Sequence, residues 1–163
     1  MLKKRAVNGF TAAVEGGDGP GTARFCAMLG ALGLGGEAVE GYLGFAQRTL
    51  DKEIAAALAA APPGGGGGGS ATEEDAPRRL SAGFNAAAAF LQNHLPTVME
   101  SLGAAGGDAE LVRLVHGVAE THALEVLRDF KEAARLDRRM EDLGRRQNVW
   151  EQKLAALQRE QQQ

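Results

Sequence analysis

The second half of the chain carries its longest uninterrupted pattern of apolar and polar positions. From Asp108 to Leu143 apolar side chains return every third or fourth residue, with no proline and the single glycine Gly117. This spacing places them on one face of an α-helix, which turns once in about 3.6 residues. We therefore predict a long amphipathic helix with Asp108 as its N-cap. Its predicted buried stripe comprises Leu111, Leu114, Val115, Val118, His122, Val126, Phe130, Ala133, Met140 and Leu143.

Residues 1–61 show the same apolar spacing in three shorter stretches, which predict a segment of three helices. A glycine-rich turn at 16–21 separates the first helix from the second. We predict that Thr22 caps the second helix and that the glycines at 35 and 36 end it. The third helix is predicted from about 37 to 60.

The rest of the chain divides into a linker, a helical hairpin and a tail. Residues 62–78 are mostly proline, glycine and acidic side chains, which predicts a flexible linker. Residues 79–148 predict an antiparallel hairpin whose first helix is kinked or broken at Pro96, because proline removes a backbone hydrogen bond. Residues 149–163 predict a glutamine-rich, frayed tail, in which Trp150, Leu154 and Leu157 hint at one or two more amphipathic turns. The linker leaves open whether the first three helices pack on the last two.

Composition supports an all-α fold and excludes several classes of function. Hydrophobic residues make up 44% of the chain, which is ordinary for a globular protein, and aromatic residues only 5%. The net charge of −3 gives no field that would attract nucleic acid. No apolar run approaches the roughly 18 residues of a membrane span. The only cysteine, Cys26, cannot form an internal disulfide, which fits a reducing compartment such as the cytosol, and we predict that it is a buried core residue.

No arrangement of residues in the sequence predicts a catalytic, cofactor-binding or metal site. The glycine run 64–69 lacks the Lys-Ser or Lys-Thr that must follow a phosphate loop. His116 and His122 are six residues apart and face different sides of a helix, and His94 has no partner nearby in the sequence. The chain is therefore predicted not to be an enzyme. The alternative enzyme hypothesis uses His116 or His122 with a neighbouring carboxylate.

The remaining candidate surfaces are helix faces. The basic pairs Arg138-Arg139 and Arg145-Arg146 alternate with acidic residues, so a solvated polar face is the simpler interpretation than a contact with anionic lipid or an acidic partner. A sharper hypothesis is an apolar face exposed for a partner helix. Four apolar residues of the hairpin could pack either on each other or on another chain: Phe84, Leu91, Val126 and Phe130.

A resemblance to a known family makes the functional hypothesis more specific. The order and spacing of Arg24-Phe25, Leu32-Gly33-Leu34 and Gly41-Tyr42-Leu43 resemble the middle region of the fourth subunit of the conserved oligomeric Golgi complex. Further motifs similar to that family's long helix lie between residues 113 and 148, namely Arg113-Leu114-Val115, Val126-Leu127, Phe130 and Arg145-Arg146-Gln147-Asn148. The family subunits are much longer, so the chain looks like an internal fragment.

The resemblance implies a fold, a location and partners. It implies an elongated helical bundle of the rod type found in tethering complexes, peripheral to the cytoplasmic face of the Golgi membrane. Its function would be vesicle tethering in retrograde transport within the Golgi. Its partners would be the other subunits of that complex, together with Golgi SNAREs and their regulators. The alternative is a stand-alone helical adaptor that binds an unrelated helix.

Overall fold

A computed structural model describes residues 1–61 and 75–161, except for the side chains of residues 157, 160 and 161. The described chain forms five α-helices and a short 3-10 turn, with no strand, which confirms the all-α prediction. The helices are α1 (Leu2–Glu15), α2 (Gly19–Ala31), α3 (Gly35–Ala60), α4 (Asp75–Leu102) and α5 (Gly107–Gln161), and the 3-10 turn Gly103–Ala105 joins α4 to α5. The predicted linker lies largely outside the described residues.

All five helices contribute to one hydrophobic core. Its largest fully buried side chains come from α2, α3, α4 and α5, and α1 adds residues such as Phe10. They are Leu29, Leu50, Ile54, Phe90, Val98 and Leu111. Burying a side chain of this size contributes about 1.5–3 kcal/mol. The first three helices therefore pack on the hairpin of α4 and α5, which answers the question that the linker left open.

The start of α2 differs from the prediction. The cap is Asp18, whose carboxylate accepts a hydrogen bond of 2.9 Å from the Gly21 backbone N–H. Pro20 follows in the first turn, where a missing N–H costs nothing. Thr22 lies inside the helix, is buried, and donates its hydroxyl to the Asp18 carbonyl oxygen at 2.7 Å. The prediction of a Thr22 cap was wrong because an earlier carboxylate takes that role.

The end of α2 is also set by different residues. Gly33 adopts a φ of +71°, and the Leu34 N–H reaches back to the Leu29 carbonyl oxygen at 2.8 Å. A positive φ favours glycine, and these backbone bonds satisfy carbonyls left over at a helix end. The glycines at 35 and 36, predicted to end α2, instead begin α3.

Helix α4 is longer than predicted at its start and continuous through its proline. It begins at Asp75, so residues 75–78 of the predicted linker are helical. The helix continues past Pro96 to Leu102, and the predicted break there is absent. An interior proline costs a helix about 3 kcal/mol. Val98 and Leu102, both buried in the core just after the proline, offset that cost.

Helix α5 begins one residue early and extends far beyond its predicted end. Gly106, with a φ of +77°, precedes it, and Asp108 lies in its first turn instead of acting as the N-cap. The helix continues through Gly144 to Gln161, so the residues 149–161 predicted to fray are helical. The predicted buried stripe holds only for its first part. Met140 and Leu143 are 69% and 61% exposed.

Candidate interaction surface

The last part of α5, which we call the distal segment (residues 136–161), has no partner helix in the described chain. Every residue from Arg138 to Leu154 is exposed to solvent. Helix α4 begins at Asp75 and runs antiparallel to α5, and its first residues line a cavity together with Phe130 and Ala133 of α5. Beyond that point the helix leaves the bundle.

The distal segment exposes large apolar side chains. Six of them are at least half exposed: Leu136, Met140, Leu143, Val149, Trp150 and Leu154. Scattered single apolar residues are normal on a protein surface, whereas a contiguous apolar stripe marks an interaction site. Leu136, Met140, Leu143, Trp150 and Leu154 follow one side of the helix, whereas Val149 lies on the other side. The stripe of these five side chains is therefore the strongest candidate functional surface of the described chain.

The exposed stripe continues the spacing by which α5 packs inside the bundle. From Val115 to Leu157 a series of positions advances by alternating steps of four and three residues, which is a heptad repeat. The series is Val115, Ala119, His122, Val126, Asp129, Ala133, Leu136, Met140, Leu143, Gln147, Trp150, Leu154 and Leu157. Val115, Ala119 and Val126 are buried in the bundle. The same face of α5 is thus covered by the bundle first and exposed afterwards.

The opposite face of the distal segment is polar. Arg145 lies 3.5 Å from Glu141 and 4.0 Å from Asp142, one helical turn away, and all three side chains are mostly exposed. Such exposed pairs contribute at most about 1 kcal/mol each. The basic pairs singled out in the sequence therefore lie along a solvated helix, as the simpler interpretation predicted, and part of their charge is paired within the helix.

The four apolar residues that the sequence proposed for a partner contact do not form one surface. Only Phe84 is largely exposed, at 51%. Val126 is buried, Leu91 packs against the core, and Phe130 is partly buried. These four residues, which could also have packed on each other, lie earlier in the hairpin than the exposed stripe. The heptad spacing of the apolar residues beyond Leu143 was the sequence signal that could have located the exposed stripe.

Of the two histidines of the enzyme hypothesis, His122 contacts carboxylates and His116 is exposed. His122 Nε2 donates to Asp51 of α3 at 3.0 Å, and its Nδ1 lies 3.8 Å from Glu125. Of these two contacts, only the one between Nε2 and Asp51 is within hydrogen-bond distance. His116 is exposed on another side of α5. Within residues 1–61 and 75–161, no three His, Cys, Asp or Glu side chains are grouped as metal ligands.

The third histidine belongs to a contact between α3 and α4 that the sequence did not predict. The Tyr42 hydroxyl and His94 Nδ1 share a hydrogen bond of 3.0 Å, and the Phe90 ring stacks on the imidazole with centroids 4.2 Å apart. Burial lowers the pKa of His94, against a smaller raising effect of Glu53. Burial, with a smaller effect of Cys26, raises the pKa of Tyr42 to about 12. Both groups are therefore neutral near pH 7, as a buried hydrogen-bonded pair requires.

The Tyr42–His94 pair borders a small open cavity of about 190 Å³, also lined by Thr22, Asn93 and Thr97. Small-molecule sites usually measure about 300–1,000 Å³. The lining contains no charged side chain, and the hydroxyl of Thr22 is bonded to a backbone oxygen. The cavity is therefore smaller than a usual small-molecule site.

Cys26 is a core residue, as predicted. Its side chain is 3% exposed, and burial raises the pKa of its thiol to about 11. Because the thiolate is the reactive form of cysteine, this thiol is inert in the folded chain.

Comparisons with known proteins do not identify a family. No protein-family model matches the chain, and no curated protein or solved structure matches it either. Among the helices of the described part, none is both long enough and apolar enough to cross a membrane. The candidate function therefore rests on the geometry of the described residues and on the sequence resemblance.

Proposed function

We propose that this chain acts through protein contacts, as a helical interaction module, and catalyses no reaction. The observation that carries this proposal is the distal segment. A five-helix bundle holds one end of α5 rigidly in its core, and the other end presents an ordered apolar stripe to solvent.

The free energy of covering the stripe supports the proposal. Burying one Leu or Met side chain contributes about 1.5–3 kcal/mol, and the stripe offers several at helical spacing. A preformed helix also avoids the ordering cost that a disordered segment meets on binding. Binding of an amphipathic partner helix along this face is the recognition mode that such a surface fits.

The tethering-complex hypothesis is the more specific form of this proposal. It rests on the resemblance of residues 24–43 and 113–148 to the middle region of the fourth subunit of the conserved oligomeric Golgi complex. In that form the partners are the other subunits of the complex, with Golgi SNAREs and their regulators. The location is the cytoplasmic face of the Golgi membrane. The stand-alone adaptor remains the alternative.

Site-specific photo-crosslinking in cells tests the general proposal. A photoreactive amino acid at Leu143, in the exposed stripe, is expected to yield covalent adducts with another polypeptide. The matched control carries it at Gln152, which is also exposed but lies on the opposite face of the same helix. Adducts from neither Leu143 nor Trp150 would contradict the proposal.

Co-purification tests the specific form separately. The full chain carrying an affinity tag is expected to retain the other subunits of the Golgi complex, and Leu143→Asp is expected to weaken that retention. Retention of none of them, with adducts still forming at Leu143, would exclude the tethering assignment and leave the interaction module standing.

A further inference from the structure

We propose that the partner of the distal segment is the distal segment of a second copy of this chain, paired antiparallel as a two-stranded coiled coil. This inference rests on the proposed function, since it names the partner of the same surface. Three observations on the described chain carry it: the heptad spacing, the position of the bundle and the self-complementary order of the side chains.

The heptad spacing supplies the seam of a coiled coil, which is the row of a and d side chains that packs against the partner helix. The heptad positions conventionally called a are occupied by Ala133, Met140, Gln147 and Leu154, and the d positions by Leu136, Leu143 and Trp150. A repeat of apolar residues every 3.5 positions keeps the seam facing a partner along its whole length. From Leu136 to Leu154 the seam extends along about 27 Å of helix.

The position of the bundle determines whether the two distal segments pair parallel or antiparallel. Val115, Ala119 and Val126 belong to the same heptad series as the exposed seam, and they are buried against the other helices. The bundle therefore lies on the seam side of α5. In a parallel pair the two bundles would occupy the same volume between the helices. In an antiparallel pair the two bundles lie at opposite ends. The distal segment of the second copy then packs on α5 beyond Ala133, antiparallel to it, as α4 does before Ala133.

The side chains along the seam are complementary to the same seam running in the opposite direction. Antiparallel pairing sets a positions opposite d positions, so Leu143 lies opposite Leu154 of the second copy. In the same register Gln147 lies opposite Trp150 of the second copy, where the indole N–H can donate to the amide oxygen. A two-fold symmetric contact requires this kind of self-complementarity. Parallel pairing would instead stack the two bulky Trp150 side chains in one layer.

Charge at the edges of the seam distinguishes the two orientations. In the antiparallel register Arg146 faces Lys153 of the second copy, a like-charge contact that is exposed and screened. In a parallel pair Arg146 would face Glu151 of the second copy, an attractive contact. The substitution Arg146→Glu thus has opposite effects on the two arrangements.

Sedimentation equilibrium of the full chain tests the pairing. The wild-type chain is expected to dimerise in the micromolar range, with twice the mass of 17.0 kDa. Leu143→Asp is expected to give a monomer with unchanged helix content by circular dichroism. Leu124→Asp, at an exposed position of α5 off the seam, is expected to remain dimeric. A wild-type monomer at about 100 μM, or a dimer unaffected by Leu143→Asp, would overturn the inference.

The antiparallel orientation is tested separately by the dimer affinity of a charge variant, measured by sedimentation equilibrium. Arg146→Glu is expected to tighten the dimer roughly 3-fold to 10-fold, because two like-charge contacts become attractive ones of a few tenths of a kcal/mol or more each. A weaker dimer would overturn the antiparallel arrangement. If the chain is monomeric while Leu143 still crosslinks to a different protein, this inference fails and the proposed interaction module stands.

Discussion

His122 Nε2 lies 3.0 Å from a carboxylate oxygen of Asp51, a residue 71 positions earlier in the chain. This contact joins α3 to α5 at the edge of the core. The His122 side chain is mostly buried, with 19% exposed, whereas about half of Asp51 is exposed. A partly solvated contact of this kind holds two helices in register and contributes little free energy.

A double-mutant cycle with Asp51→Asn and His122→Ala is expected to give a coupling energy of about 0.2–1 kcal/mol in the free energy of unfolding. Urea denaturation of the four proteins measures it. His116→Ala, an exposed change in the same helix, is the control and should alter stability by less than about 0.5 kcal/mol. A loss of partner binding in His122→Ala beyond its loss of stability would contradict a purely structural role for this residue.

The Tyr42–His94 contact predicts a pH dependence of stability. Burial lowers the pKa of His94 below its ordinary value of 6.5, so between the two values the unfolded chain binds more protons than the folded chain. The free energy of unfolding should therefore be highest above about pH 6.5 and fall as the pH falls through the lowered pKa. Urea denaturation followed by circular dichroism, from about pH 7.5 to 5.5, measures it. An equally steep decline in His94→Gln would show that another group is responsible.

Two glycines should respond to alanine in opposite directions. A Cβ atom at Gly9 in α1 would overlap the Phe25 ring, so Gly9→Ala is expected to lower the free energy of unfolding by about 1–3 kcal/mol. At Gly117 in α5 nothing lies within 4 Å of an added Cβ, and Gly117→Ala should raise it by about 0.5–1 kcal/mol through helix propensity. Chemical denaturation compares the two. A stabilising Gly9→Ala would contradict the close packing of α1 on α2.

The burial of Cys26 predicts slow reaction with thiol reagents. With a pKa of about 11 and almost no exposed surface, the folded chain should react with Ellman's reagent at pH 8 only as it unfolds. In urea the reaction should be complete within minutes. The variant Leu124→Cys, which adds a thiol at an exposed site, is the control and should react at once. Equally fast reaction of Cys26 without denaturant would contradict its place in the core.

Local spacing predicted most of the helices, because the face that a helix buries follows from the period of its apolar residues. Leu50 and Ile54 of α3 and Leu111 of α5 are fully buried where the spacing placed them. The helix ends were predicted less well. The cap of α2 depends on a single hydrogen bond between Asp18 and Gly21, and several nearby residues could have formed an equivalent one.

The candidate surface shows where local spacing is insufficient. Leu111 and Leu143 are both leucines on the apolar face of α5, yet the first is fully buried and the second is 61% exposed. Their local sequences do not distinguish them. The difference arises because the start of α4 lies beside Phe130 and Ala133, whereas α5 continues to Gln161 without another described helix beside it, which is a property of the packed hairpin.

The sequence by itself determined that this chain is helical, which residues face inward along most of its helices, and that its cysteine belongs to the core, because these follow from the 3.6-residue period and from composition. Only the tertiary structure decided which distant side chains meet, as in Asp51 with His122 and Tyr42 with His94, and how far along α5 the apolar face is covered. Those outcomes depend on the relative lengths and positions of helices far apart in the chain, which no local pattern encodes.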